Sequence, residues 1–322
     1  MLRISRYTRE LSHEWDEFVK RSRNGTFLFQ RQFMDYHSDR FFDHSVLVYN
    51  DNKIVALLPA NQKANEIISH GGLTYGGLLI TEEARLNDVI GYFYELLKYY
   101  MDNGIEEFTY KQIPFYYHSQ HAFEDEYVMQ LLKADLFKKD ASFLLEMENE
   151  VKLQKGKKSN ISRAKKENVK INVSTDYSTF WTKVLEPNLM EGHNAKPVHT
   201  KEEILLLAGK FPDNIKLFVA ECNNELVGGT VLFINNKTVN VQYISASTNG
   251  KLLGALDYLF KELLEKYKEY KYFNFGTASE NDGNVLNMGL VNWKEGFGAR
   301  ACSHNFYRVA TKKYSLLEKY TR

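Results

Sequence analysis

Residues 272–300 read YFNFGTASENDGNVLNMGLVNWKEGFGAR, and the reading of the whole chain turns on them. The alternation of Tyr272, Phe273, Asn274 and Phe275 predicts a half-buried strand. Gly276 stops it, and the polar, glycine-punctuated run 277–289 has no basis for packing as core. A second short segment carries Trp293, Lys294 and Glu295 into Gly296-Phe297-Gly298. A strand that opens into a polar loop and returns with a cation between aromatics is a common way for sheets flanked by helices to build a ligand site. The same residues also suit a surface Ω-loop carrying a solvated lysine.

The 322 residues accommodate two domains of about 150 each. A net charge of +1 removes any global electrostatic case for nucleic acid, membrane or an acidic partner, so a polyanion would need a local patch. Cys222 and Cys302 have neither CxxC nor zinc-site spacing and build no disulfide framework. The N-terminal residues lack an apolar signal region, and no apolar run approaches the roughly 18 residues that span a bilayer. The expectation is a reduced, cytoplasmic protein without a membrane span. With only 5 prolines there is no Pro-rich linker, so the two halves should pack together.

The halves repeat one order of elements. In the first, strands 44–49 and 53–59 form a hairpin around Asn50-Asp51-Asn52, and a helix over 87–102 leads to a strand at 107–111. In the second, strands 217–221 and 225–233 turn at Asn223-Asn224. A strand at 238–245, a helix at 252–267 and the strand at 272–275 follow. VLVYNDNKIVALL (46–58) echoes LFVAECNNELVGG (217–229), and YFYELLKYY echoes YLFKELLEKY at nearly the same offset of about 170 residues. Between the halves, residues 152–168 predict a basic helix in which Lys155, Lys157, Lys158, Arg163, Lys165 and Lys166 lie close together. Such a helix is either a solvated face or a contact for a diphosphate or RNA backbone.

Several residues invite chemistry. His193 and His199 lie in the polar segment EGHNAKPVHT, where an imidazole can act near neutral pH, although His199 before Thr200 also suits a helix cap. With no third ligand nearby, no metal is expected. Strict alternation along VQYIS puts Gln242 and Ile244 on one face and Val241, Tyr243 and Ser245 on the other. Tyr243 is either a packed aromatic or a donor to an acceptor or leaving group, and Gln242 needs a polar partner. In the first half, His70 and Tyr75 stand in SHGGLTYGG, whose glycines suit either a bulged turn or a close backbone approach to a ligand. Arg31, Tyr36 and Arg40 are secondary candidates for an anionic group. HSQH at 118–121 reads as surface.

The run KGKKSNISRAKKENV, the hairpin and helix that follow, FNFG, and WKEGFG occur in the order of FemAB-like proteins of the GNAT acyltransferase superfamily, and the chain resembles that family over most of its length. The resemblance implies an α+β fold with α/β-type mixed sheets, as two tandem GNAT-like domains over 1–148 and 149–322. It implies transfer of an acyl or aminoacyl group to an amine of a cell-envelope precursor or sugar nucleotide, without a metal. The donor, acyl-CoA or aminoacyl-tRNA, would lie in the second domain. The acceptor, a small molecule, glycan or peptide, would be gripped between the halves near His70, Tyr75, Arg31 and Tyr36. By that resemblance Lys294 would stand at the transfer centre; the needs of acyl transfer themselves make His193, His199 and Glu280 candidate bases, and Tyr243 and Gln242 candidate hydrogen-bonding residues. Lys155, Lys158 and Arg163 would meet phosphates. Acetyl-CoA enzymes of the superfamily carry a Q/R-x-x-G-x-G/A turn that holds the pyrophosphate. Here Lys251-Leu252-Leu253-Gly254-Ala255-Leu256 keeps Lys251 and Gly254 but ends in leucine, which keeps aminoacyl-tRNA in contention. The other readings are a catalytically silent module that binds a nucleotide-linked glycan or peptide, and an RNA-binding protein working through the basic helix.

Overall fold

The computed structural model describes residues 1–193 and 195–321, with side chains except at 192 and 193. They form two compact units, Met1–Asp140 with Ser303–Arg322, and Ala141–Cys302. In chain order the first unit holds strands β1 (Leu2–Arg6), β2 (Val46–Asn50), β3 (Lys53–Leu58), β4 (Asn61–Lys63), β5 (Glu66–Ile68), β6 (Leu79–Ile80) and β7 (Glu107–Lys111). Its helices are α1 (Ser12–Arg21), α2 (Arg31–Met34), α3 (Leu86–Asp102) and α4 (Glu124–Leu131). Strand β8 (Asp135–Glu146) leads into the second unit. There follow α5 (Lys155–Lys166), β9 (Lys170–Ser174), α6 (Tyr177–Phe180), a π-helical turn (Trp181–Leu185), α7 (Glu186–His193) and α8 (Lys201–Lys210). Then come β10 (Ile215–Cys222), β11 (Glu225–Ile234), β12 (Thr238–Ala246), α9 (Thr248–Leu253), α10 (Ala255–Lys266) and β13 (Tyr272–Thr277). A small hairpin of β14 (Ser279–Glu280) and β15 (Val285–Leu286), α11 (Met288–Glu295) and β16 (Arg300–Ala310) complete the set.

The chain divides at 140/141 and not at the expected 148/149, because the segment expected to close the first domain pairs with the second. Leu144, Leu145 and Glu146 of β8 face Asn274, Phe273 and Tyr272 of β13. Likewise the end of β16 belongs to the first unit, where Phe306 to Ala310 run antiparallel to Lys111 to Glu107 of β7.

In the first unit, β1, β2, β3 and β6 form one antiparallel sheet, and β4, β5, β7 and β16 line up in another. Helix α3 covers its core with Val89, Ile90, Phe93, Leu96, Leu97 and Tyr100, a three-and-four spacing that lays one stripe inward. In the second unit the order is β8-β13-β12-β11-β10-β9. Every neighbouring pair whose register is described is antiparallel except β12 and β13. A parallel neighbour requires a crossover, and α10 supplies it. The β10–β11 turn has Asn223 and Asn224 both at positive φ, the conformation that a two-residue hairpin needs.

The helix expected over 252–267 is two helices, α9 and α10, hinged at Gly254, whose φ of 74° is left-handed. The WKEG segment is helical, too: Asn287 caps α11 by accepting from the Leu290 N–H at 3.0 Å. Phe260 of α10 is the hub of the second core, with ring centres 5.4 Å from Phe275, 5.0 Å from Trp293 and 5.9 Å from Phe297. Phe260→Ala should therefore destabilise the protein by about 3–5 kcal/mol in urea denaturation. Phe42→Ala, at a side chain 66% exposed, should change it by less than about 0.5 kcal/mol.

Candidate functional site

Strands β12 and β13 stay paired for three residues, Thr238–Tyr272, Val239–Phe273 and Asn240–Asn274, and pair no further although both continue. On its other side β12 is bulged. Leu232 of β11 faces Val241 and Val231 faces Tyr243, so Gln242 is the extra residue. The bulge reverses the facing expected from alternation. Val241 packs with Leu259 and Phe260 in the α10 core, and after the bulge Ile244 joins that core. Tyr243 turns to the opposite face, its ring 5.0 Å from Trp181 in an edge-on contact. Ser245 follows it, donating to the Val184 carbonyl of the π-helical turn at 3.1 Å.

Where the strands part, side chains take up the released backbone groups. The Gly276 N–H donates to Asn274 Oδ1 at 3.0 Å, and Asn274 Nδ2 donates to Asn240 Oδ1 at 2.8 Å. Lys294 reaches from α11 to donate to the carbonyls of Gly276 at 2.9 Å and Thr277 at 2.6 Å. It is only 3% exposed, and burial pushes its ammonium down to about 7 from 10.5.

Beyond the gap, on the side of α10, lies a cavity of about 590 Å³. Ile244 and Ala246, Leu256, Leu290 and Trp293 give it an apolar wall, while Lys251, Asn188 and Asn160 add polar edges. Its polar corner is a buried knot. Asp257 Oδ1 accepts from Lys157 Nζ and from Trp293 Nε1, both at 2.8 Å, and Oδ2 accepts from Asn160 Nδ2 at 2.6 Å. Lys157 also sits 4.6 Å from the Trp293 ring centre and 4.5 Å from that of Phe297. Burial lowers its pKa, opposed by Asp257. Gly254 fits beneath α5 only because it lacks a side chain, since a Cβ there would lie 2.8 Å from the Asn160 carbonyl oxygen.

No protein-family model and no curated protein matches the sequence. Solved structures do match over most of its length. FemX is 10% identical, over 98% of this chain and 100% of that one, with a TM-score of 0.68. The C-terminal domain of a putative lysylphosphatidylglycerol synthetase from Agrobacterium fabrum is 13% identical over 94% of each chain, with a TM-score of 0.56. A tandem GNAT protein from the clavulanic acid biosynthesis pathway is 12% identical over 97% and 99%, with a TM-score of 0.51. The fold is that of tandem GNAT proteins.

The turn expected to hold a pyrophosphate, residues 251–256, falls at the end of α9 and the start of α10. Lys251 and Gly254 do border the cavity. The turn, however, has become a helix capped by Ser247, and Lys251 Nζ donates to Asn188 Oδ1 at 2.6 Å. Asp257, the third residue of α10, sets its own carboxylate in the positive first turn where an anion would bind. On α5, Lys155, Lys158 and Arg163 are exposed, Arg163 bonded to Asn160, and the lysine that reaches the cavity is Lys157.

The other expected residues have structural partners. Tyr243 Oη accepts from the His199 N–H at 3.1 Å and bonds its Nδ1 at 2.5 Å, while Thr200 begins α8 in a capping box with Glu203. Glu280 is exposed and accepts from Asn287 Nδ2. His193 ends α7, and its side chain lies outside the described residues. In the first unit, Arg31 is buried, paired with Asp35 and Asp43, and laid 3.8 Å from the Tyr7 ring centre. The Tyr36 ring lies tilted against His37 with centres 4.2 Å apart, and the Tyr75 hydroxyl donates to Thr26 Oγ1 at 2.9 Å. His70 is buried at a φ of 32°, its imidazole pushed down to about 3. The glycines of its loop approach the protein itself: a Cβ on Gly76 would lie 1.5 Å from the Ser69 oxygen, and one on Gly72 would lie 2.2 Å from His37 Nε2. A cavity of about 850 Å³ in this unit, bordered by Lys63, Glu106 and Lys312, is lined by none of the expected residues.

Among the described residues, no three His, Cys, Asp or Glu side chains group as metal ligands, and no helix is long and apolar enough to cross a membrane. Asn240, Asn274, Lys157 and Asp257 escaped the sequence reading as site residues. An asparagine at the same level of two neighbouring strands, VNV and FNF, is the signal that marks the first pair.

Lys294 gives a pH signature. Its folded pKa is depressed from 10.5 to about 7, so between those values the unfolded chain binds more protons and stability rises with pH. Lys111, likewise lowered to about 7 by burial, adds to that rise. Lys294→Met should remove one share of it, read as a smaller gain in urea midpoint between pH 7 and pH 9.5. An unchanged gain contradicts the assignment.

Proposed function

We propose that the protein is a FemAB-like transferase that moves an aminoacyl group from an RNA-borne ester to an amine on a cell-envelope precursor. The observation that carries this reading is Asp257. A GNAT domain that takes acyl-CoA needs the first turn of this helix for a diphosphate, and here a carboxylate already neutralised by Lys157 fills it. A diphosphate there would compete with that carboxylate for the positive end of the helix. What is left is a largely apolar cavity beside the gap between β12 and β13, suited to a nucleoside and its aminoacyl group. On α5 the exposed Lys155 and Lys158 flank the buried Lys157 and offer contacts to a phosphate backbone. The likeness to FemX and to a putative lysylphosphatidylglycerol synthetase supports the same choice.

In this reading the acyl carbon lies in the gap. The amine attacks it from the Tyr243 face, and the terminal nucleoside rests in the cavity against Trp293 and Leu290. Lys294 acts by fixing the end of β13 through two carbonyls, and its cation faces the developing negative charge from a site where water screens it poorly. His193 and Glu280 are the proposed proton acceptors in this scheme, since His199 is engaged by the Tyr243 hydroxyl.

Calorimetric titration separates the donors. A pool of aminoacyl-tRNA should bind at micromolar concentration, weakening steeply with salt, and acetyl-CoA should not bind. Micromolar binding of acetyl-CoA with none of charged tRNA overturns the proposal. Binding of tRNA without any turnover to an added amine moves the protein to a silent binding module.

A further inference from the structure

We infer that the side-chain amide of Gln242 is the hydrogen-bond donor to the acyl carbonyl oxygen, and that Asn274 and Asn240 are the positioning residues that aim it. The inference rests on the transferase reading above and adds a residue role to it.

A backbone N–H can only donate, and one such donor fixes the direction of this amide chain. The Gly276 N–H donates to the Asn274 side chain at 3.0 Å, so the atom it meets is the amide oxygen. The other end of Asn274 is then NH₂, and it donates to Asn240 Oδ1 at 2.8 Å. Asn240 in turn directs its NH₂ to Gln242 Oε1, over a longer 3.4 Å. Each amide fixes the next, and Gln242 is left with its Nε2 pointing out of the chain. Among the described residues that NH₂ makes no hydrogen bond.

Two buried amides in the middle of a sheet are costly unless they are bonded, and apolar pairs would fill the same places more cheaply. Asn274 is 2% exposed and Asn240 7% exposed, set between Phe273 and Phe275 on one strand and Val239 and Val241 on the other. Gln242, the last member, is half-buried and is the bulged residue at the point where β12 leaves β13. A one-way chain ending in a donor at the mouth of the gap is what acyl transfer requires. The bond that forms is amine nitrogen to acyl carbon, and the bond that breaks is acyl carbon to ester oxygen. Between the two, the electron pair rests on the carbonyl oxygen, where a preoriented N–H stabilises it without reorganising. The amine proton finishes on the departing hydroxyl.

The test uses the full chain, tRNA charged with labelled amino acids, and hydroxylamine as a small amine, with the uncatalysed rate subtracted. Gln242→Glu keeps the shape and replaces the donor with an oxygen. It should lower kcat by about 10²–10³-fold and leave KM for charged tRNA within about twofold. Asn274→Leu, which cuts the chain at its anchor, should give a similar loss, and the double variant should lose no more than either single one. If Gln242→Glu fails to fold, judged by its thermal melt, Gln242→Met carries the same expectation. An active wild type with an undiminished Gln242 variant, or a rise in KM alone, overturns this inference and leaves the transferase reading standing. A wild type inert toward charged tRNA and acyl-CoA alike overturns both.

Discussion

Two parallel strands that hold together for three residues and then separate leave backbone donors and acceptors without a ladder, and the second unit is organised by how those groups are satisfied. Nothing in a protein interior tolerates unpaired peptide groups for long. The Gly276 N–H goes to Asn274, the Gly276 and Thr277 carbonyls go to Lys294, and the Ala278 N–H goes to the Ala141 carbonyl on the neighbouring strand. These partners fix α11 against the strand end and fix the amide chain that runs to Gln242. The aromatic hub at Phe260 then holds α10 and α11 together behind the gap, so the opening is braced by a packed core and does not depend on loops.

The first unit solves a comparable problem and ends up closed. Lys111 stands beneath its glycine-rich loop and bonds the carbonyls of His70 and Leu73, much as Lys294 bonds two carbonyls at the end of β13. There the glycines serve tight packing on Ser69 and His37, and the candidate arginine is spent on two aspartates. The functional weight of that segment in the sequence came from composition, since glycines that admit a ligand and glycines that admit the protein's own carbonyl read alike.

Much of the architecture was legible. Strands, hairpin turns, the two-fold repeat and the closing WKEGFG segment follow from alternation, Asn-Asn and Asn-Asp turns, and helical spacing. The division at 140/141 was not, because it falls inside the single continuous strand β8 and carries no local mark. Nor was the bulge at Gln242: strict alternation put Tyr243 with Val241, and one extra residue turned them to opposite faces. Lys294 stood out by its aromatic neighbours, while Lys157 was lost among six cations because only its depth distinguishes it. A residue type that contradicts its surroundings is the mark such a candidate site leaves in sequence: the lysine in an aromatic cluster stood out by it, while the asparagine in each of two apolar strands carried the same mark and was passed over.

The most direct test is a crystal structure of the protein soaked with a stable amide analogue of a 3′-aminoacyl adenosine. The acyl group should lie in the gap between Asn240 and Gly276, its carbonyl oxygen within hydrogen-bond distance of Gln242 Nε2, and the adenosine against Trp293 and Leu290. An analogue bound in the first unit's cavity near Lys63 and Lys312, or bound in the second with its carbonyl turned away from Gln242, contradicts that placement.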